Sequence, residues 1–341
     1  MMRALVVTGA RAANVLEVDP PVPAAGELLV DVERVGICGT DIELYTGEMS
    51  YFGQGATTFP LRPGHEWTGR VVATGSSDDA HWIGRRITGD TMLGCGTCRY
   101  CRGGVHHVCP DRFEIGIRDG WPGALAEQLL VPARFAYPIP ESVSVTAAAL
   151  VEPGGNSLRA VRAAELAPGH SVLILGSGTI GLLAAQFALA EGAEVHLAGV
   201  HPATLDLARE LGVPHVATLD QLEAAGTDRF DAVIDCTSGA SSPELAVRLV
   251  KPAGRVVLIG LSSTASLVDT RDLVLKDATA VGILSASPGL AGAIESYASG
   301  AVVPDAIVGE VIGLDEVPSR LDGTRGSGAG PGPKVHVDPR R

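Results

Sequence analysis

Positive charge is scarce in this chain. Lysine and arginine total 26 against 39 aspartates and glutamates, a formal net charge of −13 with pI near 5.1. That balance argues against binding to a phosphate backbone and against an anionic membrane surface. Long apolar runs are also missing. No stretch of 18 or more apolar residues occurs, so no transmembrane helix is expected. The start, Met1 to Gly9, has too short an apolar core for a signal peptide and reads as a first strand, so a cytoplasmic location is expected. Cysteines number only six in 341 residues. In a reducing compartment so few thiols bind metal more often than they pair.

Four of the six fall within fifteen residues. Cys95, Cys98, Cys101 and Cys109 have the spacing C-x2-C-x2-C-x7-C. Four thiolates so close make a closed tetrahedral cage for zinc that holds a loop together. A zinc lobe over 94–110 follows. Zinc lobes also occur in nucleic-acid proteins, but those need a basic face, which the acidic balance opposes.

At 341 residues the chain suggests two domains, each with a core of its own. The first third reads as strands and turns: 15–18, 27–35 and 69–73 carry β-branched or alternating apolar residues. Two segments there bear chemistry, Gly36-Ile-Cys-Gly-Thr-Asp41 and Pro63-Gly-His-Glu66. Cys38 and His65, joined by a later carboxylate, have the makings of an open three-ligand catalytic zinc site. Taken singly, each is as well explained as a small buried thiol and a satisfied polar residue.

The middle third changes rhythm. Ser171 to Leu175 is a short apolar strand running into Gly176-Ser177-Gly178-Thr179-Ile180-Gly181, followed by a helical apolar run over 182–190. A G-x-G-x-x-G between strand and helix is a dinucleotide fingerprint. The first glycine makes the tight turn, the second lets backbone approach a pyrophosphate, and the third lets helix and strand pack closely. Further strands are expected at 194–198, 213–217, 232–236, 256–259 and 281–284, with helices at 205–211 and 243–250, which is a doubly wound sheet. Enzymes that use NAD usually carry an acidic residue at the end of the second strand, and Gly199 stands there. Its lack of charge removes repulsion against a 2′-phosphate, and nearby His201 could donate a hydrogen bond to one, so NADP is favoured. Thr237, Gly260 and Leu284 fall at or near strand ends, where a nicotinamide would lie. Cys236 reads as a buried structural thiol.

Taken together, the Cys38 segment, the His65 segment, the four-cysteine lobe and the glycine fingerprint, in this order, resemble the medium-chain zinc-dependent alcohol and polyol dehydrogenases. Leu44-Tyr-Thr-Gly-Glu-Met49 and Val151-Glu-Pro153 are closer to the sugar, polyol and aminocyclitol members. The resemblance implies an α/β chain with a GroES-like β-rich catalytic domain at 1–145 and 286–341, and a Rossmann domain with a doubly wound parallel sheet at 146–285. It implies two zincs per chain. Cys38, His65, Glu66 and Glu152 match the catalytic metal site, and Cys95, Cys98, Cys101 and Cys109 the structural one. Thr40 matches the hydroxyl that takes the substrate's proton. The family often has a histidine five residues after the first cysteine, at the end of the relay, where this chain has Glu43. Asp41 is expected to support the site or cap a helix. Lys334 matches a basic residue that reaches the cofactor pyrophosphate, a solvated lysine being the equal alternative.

Glu114, Trp121 and Tyr51 are candidates for a substrate cleft, though packing or surface roles suit each better. The glycine-rich stretch 323–333 is expected to be a mobile loop, a phosphate cradle being the weaker reading. The expected activity is reversible hydride transfer between nicotinamide and a secondary alcohol or ketone of polyol, sugar or cyclitol type, by a homodimer or homotetramer. A cofactor-binding regulator that has lost catalysis, and a simple secondary-alcohol dehydrogenase using NAD, are the alternatives. A zinc-independent reductase of the same fold would lack the ligands.

Overall fold

The computed structural model describes residues 1–224, 226–324, 326 and 329–341. The chain forms two compact units, 1–152 with 308–330 and 334–341, and 153–307 with 331–333.

The first unit is built mainly on antiparallel pairing, with one parallel pair, Val308–Gly313 beside Lys334–Asp338. Met2–Gly9 and Ala12–Val18 form a hairpin. The main sheet runs in the order Val308–Gly313, Lys334–Asp338, Glu27–Ile37, Glu66–Thr74, Arg86–Gly89 and Ala136–Pro138, with Gln128–Pro132 also pairing to Glu27–Ile37. Alternation along Glu27–Ile37 sends Leu28, Val30 and Val32 into a core with Trp67, Val71, Ile87 and Leu129. The two ends of the long central strand meet distant partners. Gly36 pairs with Glu66 on one side and His336 on the other. That double pairing brings three remote segments of the chain to one place.

The second unit is a six-stranded, wholly parallel sheet. Its strands are Ser171–Leu175, Glu194–Gly199, His215–Thr218, Phe230–Asp235, Val250–Leu258 and Thr279–Gly282. Numbered in chain order within this sheet, they lie 3-2-1-4-5-6, the doubly wound arrangement of dinucleotide-binding folds. Val172, Leu173, Ile174 and Leu175 are all buried, as a central strand covered on both faces requires. Helix Thr179–Ala190 is apolar nearly all round and is buried from Gly181 through Ala188.

The expected domain boundary at 285 differs from the observed one. Residues 286–307 stay with the second unit, whose first stretch begins at Pro153. Helix Leu290–Ala298 packs on small residues of helix Val151–Ala163: the backbones meet at Gly155 and Gly289, where any side chain at Gly289 would lie 2.0 Å from the Gly155 carbonyl oxygen. Tyr297 closes over Gly154 and stacks on Phe187 at 6.1 Å between ring centroids. Backbone approach this close ties the helix to its neighbour irrespective of hydrophobic pattern, so periodicity gave no sign of it. The last sheet strand is Thr279–Gly282, which leaves Leu284 beyond its end. Part of the stretch expected as a mobile loop, residues 325, 327 and 328, lies outside the described residues.

A charge cluster pins the start of the parallel sheet. Asp231 accepts from the Ser171 hydroxyl at 2.7 Å and its N–H at 2.8 Å, and from Lys251 Nζ at 2.9 Å. Partial burial pushes the Asp231 carboxyl up, but these donors outweigh it and hold the group down at about 2, against an ordinary 3.8. A depressed carboxyl stabilises the fold above its unfolded pKa, and that contribution is lost as pH falls through the folded one. Asp231→Asn should therefore lower stability by ~1 kcal/mol at pH 7. In thermal unfolding the difference from the parent should close as pH falls from about 4 toward about 2; an equal difference at every pH would show that the charge is not responsible.

Candidate active site and metal centres

Helix Gly39–Thr46 starts the first site. Cys38 is its N-cap residue, and Asp41 in the first turn accepts the Cys38 N–H at 2.9 Å. A carboxylate near the positive end of a helix is favourable. The same carboxylate, fully buried, accepts the Gly64 N–H at 3.1 Å and lies 3.5 Å from His65 Nδ1. One aspartate thus fixes both chain segments that carry chemistry. Burial opposes a charge on His65, but Asp41 and Cys38 more than offset it and hold the imidazole well above its ordinary pKa.

Cys38, His65 and Glu66 bring their ligand atoms within 4.8 Å of one another. A thiolate, an imidazole and a carboxylate form a donor set suited to zinc with a coordination position to spare. Glu152 is buried but stands outside this group. It is the last residue of the first unit, in the opening turn of helix Val151–Ala163, so helix geometry rather than the sheet sets its place. Three of the four expected ligands are thus assembled.

Lys334 requires a correction. It was expected at the cofactor pyrophosphate. Instead its ammonium is buried, donating to both Glu66 oxygens at 2.9 and 2.7 Å and to the Ile37 carbonyl at 3.0 Å. Burial lowers its pKa, yet Glu66, Cys38 and Asp41 raise it more, so it stays charged. The physical reason is pairing register. Strand Lys334–Asp338 lies against Glu27–Ile37, with Val335 opposite Ile37, and the buried carboxylate of Glu66 needs a counter-charge.

Thr40 lies one position before Asp41 on the helix, half-buried, and Glu43 is three positions further on, hence on the same face. Partial burial, then Glu48, pushes the Glu43 carboxyl above its ordinary pKa. Among the cleft candidates, Glu114 is buried with Arg112 at 2.8 Å and the Tyr51 hydroxyl at 3.1 Å. Trp121 donates to the Leu130 carbonyl at 3.1 Å. It also lines a cavity of about 600 Å³ with Val6, Leu61, Arg62 and Ile117, a place that none of the three grouped ligands borders. Sequence reasoning gave Arg62 no role. Burial lowers its guanidinium pKa to about 10.

The cysteine lobe allows a quantitative test. Sulfurs bound at 2.3 Å to a tetrahedral zinc lie about 3.8 Å apart. Here Cys95 and Cys101 are 3.9 Å apart, Cys98 and Cys101 3.6 Å, and Cys98 and Cys109 3.7 Å. The cage has the dimensions of zinc. A bond from Thr97 pulls the Cys95 thiol down to about 6, while burial, followed by the neighbouring thiols, pushes Cys101 up to about 12. Arg134, donating to the Gly94 carbonyl at 2.8 Å, and His106, 2.8 Å from Asp90, anchor the lobe.

In the second unit, Gly176 has φ +103°, a left-handed turn that favours glycine. A side chain at Gly181 would meet the Gly176 carbonyl oxygen at 1.9 Å, whereas Gly178 faces open space. Ser177 bonds Thr204 at 2.6 Å, and Thr179 and Ile180 open the helix, whose N-terminal N–H groups suit phosphate. The cradle fits a dinucleotide. Gly199 has a steric reason to be glycine, since a Cβ there would lie 2.3 Å from Ser177 Oγ. His201 is exposed at the N-cap of helix Pro202–Glu210. Thr237 donates to Asp235 at 2.8 Å, and its carbonyl touches Gly260 closely enough to exclude any side chain. The Leu284 carbonyl accepts from Arg159. Cys236, expected to be buried, is half-buried as a residue; burial of its thiol, aided by Asp235, pushes the pKa far up.

With this geometry in view, comparisons identify the family. Residues 24–141 match the alcohol dehydrogenase GroES-like domain, and 179–299 match the zinc-binding dehydrogenase domain. The chain is 30% identical over 293 residues to L-threonine 3-dehydrogenase of Rhizobium etli, covering 83% of each. It superposes with TM-score 0.90 on a putative zinc-binding dehydrogenase of Sinorhizobium meliloti bound to NADP, at 32% identity over 99% of both chains. An alcohol dehydrogenase of E. coli CFT073 complexed with NADH aligns with TM-score 0.88, at 25% identity over 99% of both. The chain belongs to the medium-chain zinc-dependent alcohol and polyol dehydrogenases and is an NAD(P)-dependent oxidoreductase. Among the described residues no helix is long and apolar enough to cross a membrane.

Breaking the buried Lys334–Glu66 pair from one side leaves an uncompensated charge. Lys334→Met should cost ~3–5 kcal/mol in the metal-free protein. Adding Glu66→Gln should recover much of that loss in denaturant titration. A double variant as unstable as the single one would refute the pairing.

Proposed function

We propose that the protein oxidises a secondary alcohol of polyol, sugar or cyclitol type, reversibly, with NADP preferred over NAD. The observation that carries this reading is the Cys38–His65–Glu66 group held by Asp41 and Lys334. Bound there, zinc would supply a Lewis acid for an alcohol oxygen. Cys38 and His65 would hold it, with Glu66 restrained by Lys334 and Glu152 available as a further ligand. Thr40 would take the hydroxyl proton and pass it along its helix face toward Glu43, whose carboxylate can accept it. A second zinc would occupy the cysteine lobe in a purely structural role.

Gly176 to Gly181 would cradle the pyrophosphate, and Thr237, Gly260 and Leu284 would lie by the nicotinamide. NADP rests on Gly199 and the exposed His201, and the NADP-bound relative supports it. The threonine dehydrogenase relatives favour one other substrate, L-threonine, also a secondary alcohol. Six free cysteines suit a reducing, cytoplasmic setting.

Initial rates of coenzyme reduction test the reading. Polyols, cyclitols, aminocyclitols, simple alcohols and L-threonine would each be assayed with NADP and with NAD. A ring or chain polyol with NADP should turn over fastest, and Cys38→Ser should abolish turnover while coenzyme binding persists. A clear NAD preference would overturn the reading of Gly199. Full activity in Cys38→Ser would overturn the metal chemistry.

We further propose that the chain self-associates as a homodimer or homotetramer, and the second unit's edge supports this. Strand Thr279–Gly282 ends the sheet, and Leu261, Leu267, Val274 and Leu275 are all about four-fifths exposed. Unpaired edges and bare apolar groups favour a partner. Light scattering should give a mass of two or four 35.0 kDa chains; a monomer would refute it.

A further inference from the structure

A second group of metal-binding side chains lies on the parallel sheet, apart from both sites above. Glu194 and His196 are two residues apart on strand Glu194–Gly199, so the pleat turns both to one face. In the parallel register His196 stands opposite His215 of the edge strand His215–Thr218. Three side chains from two neighbouring strands therefore converge. Both imidazole Nε2 atoms lie 3.3 Å from the same Glu194 oxygen. The rings stack at 4.2 Å between centroids, 15° from parallel, so the half-exposed His215 ring has to turn about its Cβ–Cγ bond for both lone pairs to reach one ion.

The 3.3 Å spacing serves a hydrogen bond from imidazole to carboxylate and is also compatible with a shared ion. Two N or O atoms bound at ordinary lengths to a tetrahedral zinc lie about 3.3 Å apart. All three ligand atoms fall within 4.8 Å of one another. We propose that Glu194, His196 and His215 form a third metal site, a two-histidine, one-carboxylate site for a divalent ion of the zinc, nickel or copper class, which clasps the edge strand to the sheet.

Imidazole-rich sites favour those ions over magnesium or calcium. Entry is open: the Glu194 and His215 side chains are 52% and 49% exposed, and a cavity of about 320 Å³ lies beside them, bordered by His196, Pro214, His215, Arg229 and Phe230. The Phe230 ring meets the His196 ring at 5.0 Å and limits its rotation. Burial, then His215 and, more weakly, Arg229, lower the His196 pKa, against the opposing pull of Glu194. A neutral imidazole is the form that ligates. Arg229 opposes a cation, but it is exposed and screened by water, and Glu194 offsets its charge. His196 is three residues from Gly199, roughly 10 Å along the strand and toward the end away from the cofactor cradle. The role is therefore to hold the strand, not to take part in hydride transfer.

Zinc itself is the probe. The full-length protein, His215→Ala and Glu194→Gln would each be saturated with zinc chloride, passed through a desalting column and analysed for metal per chain. Far-UV circular dichroism would confirm that each is folded, and the isosteric Glu194→Gln serves if His215→Ala is not. The parent should retain one zinc per chain more than either variant, and added zinc should raise its melting temperature more than theirs. Equal zinc content in the parent and the folded variants would overturn the site. Neither readout depends on turnover, so failure here and failure of the proposed activity are distinguishable.

Discussion

The first unit depends on a buried set of charges. Asp41, Glu66 and Lys334 are each under 5% exposed, and they meet around Cys38 and His65. Isolated, any of them would cost several kcal/mol in so dry a place. Together they satisfy one another. Asp41 takes two backbone N–H groups and faces His65, while Lys334 neutralises Glu66 and caps the Ile37 carbonyl. The chain builds its reactive group on a charge balance that only the complete sheet can supply. The segments concerned come from residues near 40, 65 and 335, so the site and the fold of this unit form together.

The second unit rests on close backbone contact. Its nucleotide cradle works because Gly181 touches Gly176 and because Gly178 leaves space. The helix expected to leave this unit stays in it for a like reason, the meeting of Gly155 with Gly289. Ser177 fills the space beside Gly199, so the lack of an acidic residue there has a packing cause.

The two units differ in how far local sequence governs them. In the parallel sheet the central strands Ser171–Leu175 and Phe230–Asp235 are buried apolar runs, so period and composition locate them, whereas the edge strands His215–Thr218 and Thr279–Gly282 are largely exposed and carry a weaker signal. In the antiparallel unit the important contacts join residues almost 300 positions apart, as Lys334 with Ile37 shows. No window of sequence contains both partners.

Local chemistry was therefore legible from the sequence alone: the four-cysteine cage, the pairing of Cys38 with His65, the glycine cradle after Ser171–Leu175, and the family. The cage and the cradle reside in short segments whose spacing is itself the geometry, whereas Cys38 and His65 stand in separate segments that the fold joins through Asp41. The tertiary structure alone decided the rest. It placed Lys334 on Glu66 rather than at the cofactor, left Glu152 outside the three-ligand group, kept 286–307 with the second unit, and set His215 beside His196 and Glu194. Each of these follows from strand register or backbone approach between distant segments, and such contacts exist only once the chain has closed upon itself.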